Sequence, residues 1–146
     1  MNLKVAIILI WSIQVGFSQT SKTYDICIYG ATSACIIAAY TAKIQGKSVI
    51  LIEPSNHIGG LTTGGLGQTD IGNKYAITGL SRDFYRKIGQ HYGKFEQWSF
   101  EPSVASNIFN YYLKKADIKV FTKNQLVNVV KSKSTIRQIE LIDENK

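Results

Sequence analysis

Gly30 and Glu53 are the residues whose types and spacing first suggest chemistry. Gly30 opens the run Gly30-Ala31-Thr32-Ser33-Ala34-Cys35, and Glu53 follows 23 residues later. A glycine that turns the chain sharply into a helix leaves the first backbone N–H groups of that helix unpaired and aimed outward. Together with the positive end of the helix dipole they form an anion site suited to a pyrophosphate. An acidic residue about 20 positions further on is placed to accept hydrogen bonds from ribose hydroxyls. The glycine pattern is partial. Thr32 stands where a second glycine would let backbone approach phosphate, and Cys35 where a third would let helix and strand pack closely. The Thr32 hydroxyl can itself donate to phosphate, whereas Cys35 puts a larger side chain into the helix–strand contact.

These residues need a strand, a helix and a second strand to position them. Tyr24-Asp25-Ile26-Cys27-Ile28-Tyr29 reads as a buried strand, Ile36 to Gln45 as an alanine-rich helix, and Ser48-Val49-Ile50-Leu51-Ile52-Glu53 as another buried strand. The result is one β-α-β unit of an α/β fold with a parallel sheet. Ala34, Ala38 and Ala42 recur every fourth residue and form a strip of small side chains expected to bring the helix close to the sheet. Cys27 and Cys35 are too few for a disulfide framework, and both are expected to be buried.

Past Glu53, five glycines fall between Gly59 and Gly67, and their backbone can approach a ligand without Cβ interference. Ile58, Leu61 and Leu66, interleaved among them, predict a loop folded inward as a ligand cradle. Thr78 is placed to cap a helix whose apolar face is Leu80, Phe84, Ile88 and Tyr92, with Arg82, Arg86, Lys87 and Gln90 on the wet side. His91, near its end, is expected to face water. Glu101-Pro102 opens a second helix, with proline where its missing N–H does no harm. Its broad apolar face, Val104, Ala105, Ile108, Phe109, Tyr112 and Leu113, runs out near Ala116. Trp98, Phe100, Tyr111 and Tyr112 read as core. From Ile118 the period changes to two. Ile118, Val120 and Thr122 predict a third strand, and Leu126 to Lys131 with Ile136 to Ile142 predict a hairpin around Ser132-Lys133-Ser134-Thr135.

The order strand, Gly30-Ala31-Thr32-Ser33-Ala34, helix, Ile52-Glu53-Pro54, His57-Ile58-Gly59-Gly60-Leu61-Thr62 resembles the N-terminus of FAD-dependent oxidoreductases with a glutathione-reductase-type flavin fold. The run Gly64 to Lys74 and Phe100-Glu101-Pro102 resemble an exported bacterial group of that family. The resemblance covers most of Tyr24 to Ile142. It implies a Rossmann-like FAD/NAD(P)-binding domain, with Ile118 to Thr122 joining the parallel sheet and a β-meander after it. It implies FAD as cofactor, held at its pyrophosphate by Gly30, Ala31, Thr32, Ser33 and Ala34, at its adenosine ribose by Glu53, and towards the flavin by Gly59, Gly60, Leu61, Thr62 and Thr63. By position, backbone near Leu126 would meet the adenine. The glycine-rich loop favours FAD over NAD, because a nicotinamide domain would pass from the second strand straight into a crossover helix. No catalytic residue can be named, and His57 reads as a brace for its loop. Relatives run on well beyond this length, so residues 19–146 are expected to be the N-terminal part of an FAD-binding domain, incomplete at its C-terminus, with an unpaired sheet edge and little flavin retained. Three readings stand: the start of an FAD-dependent oxidoreductase passing hydride between an unknown substrate and flavin, a truncated, non-catalytic dinucleotide-binding remnant, or, on charge and aromatics only, a basic exported carbohydrate- or surface-binding protein.

The 146 residues are one domain's worth, and 45% hydrophobic content suffices for a core. With only two histidines and two cysteines, no metal cluster is spelled out. Residues 1–18 have a positive Lys4, an apolar run from Val5 to Val15 and a Gly16-Phe17-Ser18 cleavage pattern. They are expected to be a secretory signal peptide, making the mature protein exported and without a stable membrane anchor. The formal net charge is +7. Lys114, Lys115, Lys119, Lys123, Lys131 and Lys133 are spread over several elements without stacking aromatics, which reads as a solvated face rather than a nucleic-acid site. The expected partner is a small-molecule substrate.

Overall fold

The computed structural model describes residues 22–144. The signal-peptide reading of residues 1–18 lies outside them. β1 (Ile26–Tyr29), α1 (Ser33–Ile44) and β2 (Val49–Glu53) form the β-α-β unit, followed by α2 (Gly79–His91), α3 (Pro102–Lys115), β3 (Val120–Thr122), β4 (Asn124–Ser132) and β5 (Thr135–Asp143). β1, β2 and β3 pair in parallel in that order, with Ile28 beside Leu51 and Leu51 beside Val120. β4 and β5 form a separate antiparallel hairpin across Lys133 and Ser134, which supplies two strands of the expected meander.

The parallel register separates two faces. Ile26, Ile28, Val49, Leu51 and Val120 pack against α1 and α3 in the main core. Cys27, Tyr29, Ile50, Ile52 and Phe121 point the other way, by the alternation of side chains along strands. There Ile52 is buried, but Cys27, Tyr29 and Phe121 are exposed. Cys27 is therefore not the buried cysteine expected, because no helix among the described residues packs on the face it occupies. Cys35 is half-buried against the core.

α1 turns a different stripe to the sheet than the one its alanines suggested. Ile36, Ala39 and Tyr40 are buried, while Ala34 and Ala38 are exposed and Ala42 is half-buried. Branched and aromatic side chains bury more apolar area than methyls, so they set the rotation of the helix. α3 buries all six residues of its expected face. Tyr40 meets Tyr112 edge-on with ring centroids 5.0 Å apart, and Phe84 of α2 stacks on Phe109 at 4.9 Å. Tyr111 is exposed rather than core. Thr78 is the N-cap residue of α2, but its side chain caps nothing. Arg82 leaves the wet side to pair with Glu96 at 2.9 Å and to donate to the Lys74 carbonyl at 2.9 Å.

Candidate functional site

In a parallel β-α-β unit the carboxyl ends of the strands and the start of the following helix lie at one end of the sheet. Gly30 makes the turn there with φ +96°, and a Cβ at that position would meet no other atom within 4 Å. Its conformation, rather than crowding, requires glycine. Thr32 then caps α1 in an extended conformation, its Oγ1 accepting from the Cys35 N–H at 3.4 Å. The first intrahelical bond is Ile36 N–H to the Thr32 carbonyl, 2.9 Å. The N–H groups of Thr32, Ser33 and Ala34 thus have no acceptor within the helix. No acidic residue sits in this first turn.

Glu53 meets the helix start directly. Its Oε2 accepts from the Ala31 N–H at 2.6 Å, and its Oε1 accepts from the Ser55 N–H at 2.8 Å and the Ser55 hydroxyl at 2.6 Å. The side chain is only 8% exposed. Burial works against its charge, but the Ser55 hydroxyl, the Ala31 and Ser55 N–H groups and nearby His57 outweigh that and hold the carboxyl below its ordinary value. The carboxylate is therefore an ionised acceptor joining the β1 turn to the end of β2. Ser55 went unnoticed in the sequence, although a serine two residues after a strand-ending carboxylate is a turn signal.

The glycine loop folds onto the same point. The Gly59 N–H donates to the Ala31 carbonyl at 2.7 Å, and Gly60 lies beside Thr32. Gly59 is buried with φ +103°, where a Cβ would lie 2.4 Å from the Thr63 side chain. Gly60, Leu61 and Thr62 make a short 3-10 turn. His57 Nε2 lies 3.0 Å from the Gly60 carbonyl, and the Thr63 hydroxyl donates to the Ile58 carbonyl at 2.6 Å. A carbonyl only accepts, so Nε2 carries the proton and His57 braces the loop, as expected. The loop is less inward than its apolar residues suggested: Leu61 is 74% and Leu66 62% exposed. It is anchored instead through backbone, Phe100 N–H to the Gly67 carbonyl at 2.8 Å. A concavity of about 430 Å³ lies beside this anchor, lined in part by Gly65, Tyr92 and Glu101, where the Tyr92 hydroxyl donates to the Glu101 carboxylate.

Leu126 is drawn to the same end by Tyr29, whose hydroxyl accepts from the Leu126 N–H at 3.2 Å. The two are 97 residues apart, and nothing in the sequence signalled this link. The structure therefore gathers Gly30 to Ala34, Glu53, Gly59 to Thr63 and Leu126 around one end of the sheet. Among the described residues no cluster of three histidine, cysteine or acidic residues could hold a metal ion.

Fold and site together define an α/β dinucleotide-binding module. A family model described as FAD dependent oxidoreductase matches residues 25–146, and the chain belongs to that family, whose cofactor is FAD. A 46-residue stretch is 39% identical to 3-oxosteroid 1-dehydrogenase of Mycolicibacterium smegmatis (strain ATCC 700084 / mc(2)155), covering 32% of this chain and 8% of that protein. Among solved structures, L-amino acid deaminase from Proteus vulgaris, with its specific insertion sequence deleted, superposes with a TM-score of 0.61 at 15% identity, over 84% of this chain and 50% of that one. OTEMO in an FAD-bound form superposes with a TM-score of 0.56 at 15% identity, over 86% of this chain and 24% of that one. At such identities the solved structures speak for the fold. The chain spans half or less of the length of these proteins.

Proposed function

We propose that this chain is the FAD-binding portion of an exported oxidoreductase that exchanges hydride with a small-molecule substrate. The observation that carries the reading is the meeting of the α1 start, the Glu53 carboxylate and the Gly59-Gly60 turn at one point. The open space beside Gly30 and the first-turn N–H groups of α1 suit a pyrophosphate. The Thr32 hydroxyl uses an oxygen lone pair for the Cys35 N–H and keeps its hydrogen for a phosphate oxygen. Glu53 already accepts three hydrogen bonds; a carboxylate has about four lone-pair sites, so one remains for a ribose hydroxyl. Gly59 to Thr63 carry the cofactor onward to its flavin. The Leu126 N–H is engaged by Tyr29, which leaves its carbonyl as the group to face an adenine. Bound FAD supplies the redox chemistry, and the protein's part is to hold and orient it. Export rests on residues 1–18 of the sequence.

Thr32→Glu tests this by placing a carboxylate where the diphosphate should sit. FAD titration followed by flavin fluorescence should show weak, readily reversed binding to the wild-type chain and none to the variant, and NAD should not compete. Equal FAD binding by both chains, with unchanged melting temperatures, would overturn the site.

A further inference from the structure

The end of the sheet opposite the cofactor site is strongly basic. α1 and α3 both run towards it, so their last turns and the turns into β2 and β3 converge there. They bring Lys43 and Lys47, which the sequence reading passed over, together with Lys114, Lys115 and Lys119. Lys43, Lys47 and Lys115 line one concavity of about 430 Å³ with Ile44 and Asp117. Lys43, Lys114 and Lys115 complement the negative ends of their helices. Lys47 and Lys119 lie outside both helices, so the dipoles do not account for them.

Two further observations specify the partner. Ile44, which lines this concavity with Lys43, Lys47 and Lys115, is 59% exposed. In addition, β1 enters at this end: the Ser48 N–H, next to Lys47, donates to Asp25 Oδ2 at 2.8 Å. Lys22 precedes that point in the sequence. Counting Lys22, the chain segments that meet at this end carry six lysines and two carboxylates, Asp25 and Asp117, and Asp25 is occupied by Ser48. A cationic surface that also exposes an apolar side chain suits the headgroup layer of an anionic bilayer, where each lysine contributes about 1 kcal/mol. Duplex nucleic acid would offer Ile44 nothing to bury against.

We propose that this basic end docks on anionic phospholipid membrane, turning the cofactor end away from the lipid. The surface is independent of FAD. The test is co-sedimentation of the full chain with phosphatidylcholine vesicles, with or without about one-third phosphatidylglycerol. Wild type should bind only the anionic vesicles and dissociate as salt rises. Lys43→Ala/Lys47→Ala/Lys115→Ala should weaken binding about a hundredfold, from about fivefold per lysine. Ile44→Ser should weaken it with no change in net charge. Lys131→Ala/Lys133→Ala/Arg137→Ala, which removes the same charge from the hairpin, should leave it within about twofold. Equal loss in both triple variants, equal binding to neutral vesicles, or tighter binding to a short DNA duplex would each overturn the proposal. Melting temperatures of all variants confirm that they fold.

Discussion

Glu53 has two duties that share one charge. It ties the β1 turn to the end of β2 through the Ala31 and Ser55 donors, and it is the proposed ribose acceptor. Glu53→Gln puts an amide NH2 against N–H donors and should lower stability at neutral pH by about 1–3 kcal/mol. The pH dependence follows from the direction of its shift. A carboxyl held below its ordinary value stabilises the fold above the unfolded value of about 4.3, and that stability is lost as pH falls through the lower folded value. The gap between wild type and Glu53→Gln in urea denaturation should therefore be full at pH 7 and shrink below about pH 4. A gap unchanged across that range would mean that the carboxylate is not the stabilising form. Gly30 and Glu53 were legible in the sequence because each obeys a local rule. The Tyr29 contact with Leu126 was not, since it depends on where the hairpin packs.

At the scale of elements, the β-α-β unit, the two later helices, a third strand and the hairpin followed from periodicity, and the place of the third strand in the parallel sheet from the family resemblance. α3 was read best, because its six apolar residues leave one way to turn it. α1 is apolar nearly all round, so its sequence admits several rotations, and the alanine strip picked the wrong one. Its seat bears on Cys35. With Ile36 and Ala39 fully buried, the helix is already close to the sheet and Cys35 fits half-buried beside it, without the crowding its size suggested. Cys35→Gly should then bring no gain in flavin retention and should lower the melting temperature by a few degrees, from about 1 kcal/mol of helix propensity plus lost packing. A rise in retained flavin, read from absorbance after gel filtration, would restore the crowding account. Arg82 shows the reverse error. A charged residue on a polar stripe was read as solvated, yet Glu96, fourteen residues away, draws it in and fastens the turn at Lys74.

At the scale of the whole molecule, the helices among the described residues cover one face of the sheet only. Parallel sheets are normally covered on both faces, and here the base of the hairpin reaches just the Tyr29 end of the second. Tyr29 and Phe121 remain exposed on that face, as do Val127, Val129, Val130, Ile136 and Ile142 on the hairpin, and β1 pairs along one edge only among the described residues. Contiguous apolar surface and an open strand edge both promote association between chains. The 146-residue chain on its own should therefore grow in apparent size with concentration in dynamic light scattering. Salt screens charge but strengthens apolar burial, so ammonium sulfate should enhance the growth. Val127→Lys with Ile142→Lys should suppress it while leaving the helix signal in circular dichroism unchanged, because neither residue touches the main core. An apparent size independent of concentration for the wild-type chain would show that the second face is covered in solution, and the distinction between the two sheet faces would then have to be redrawn.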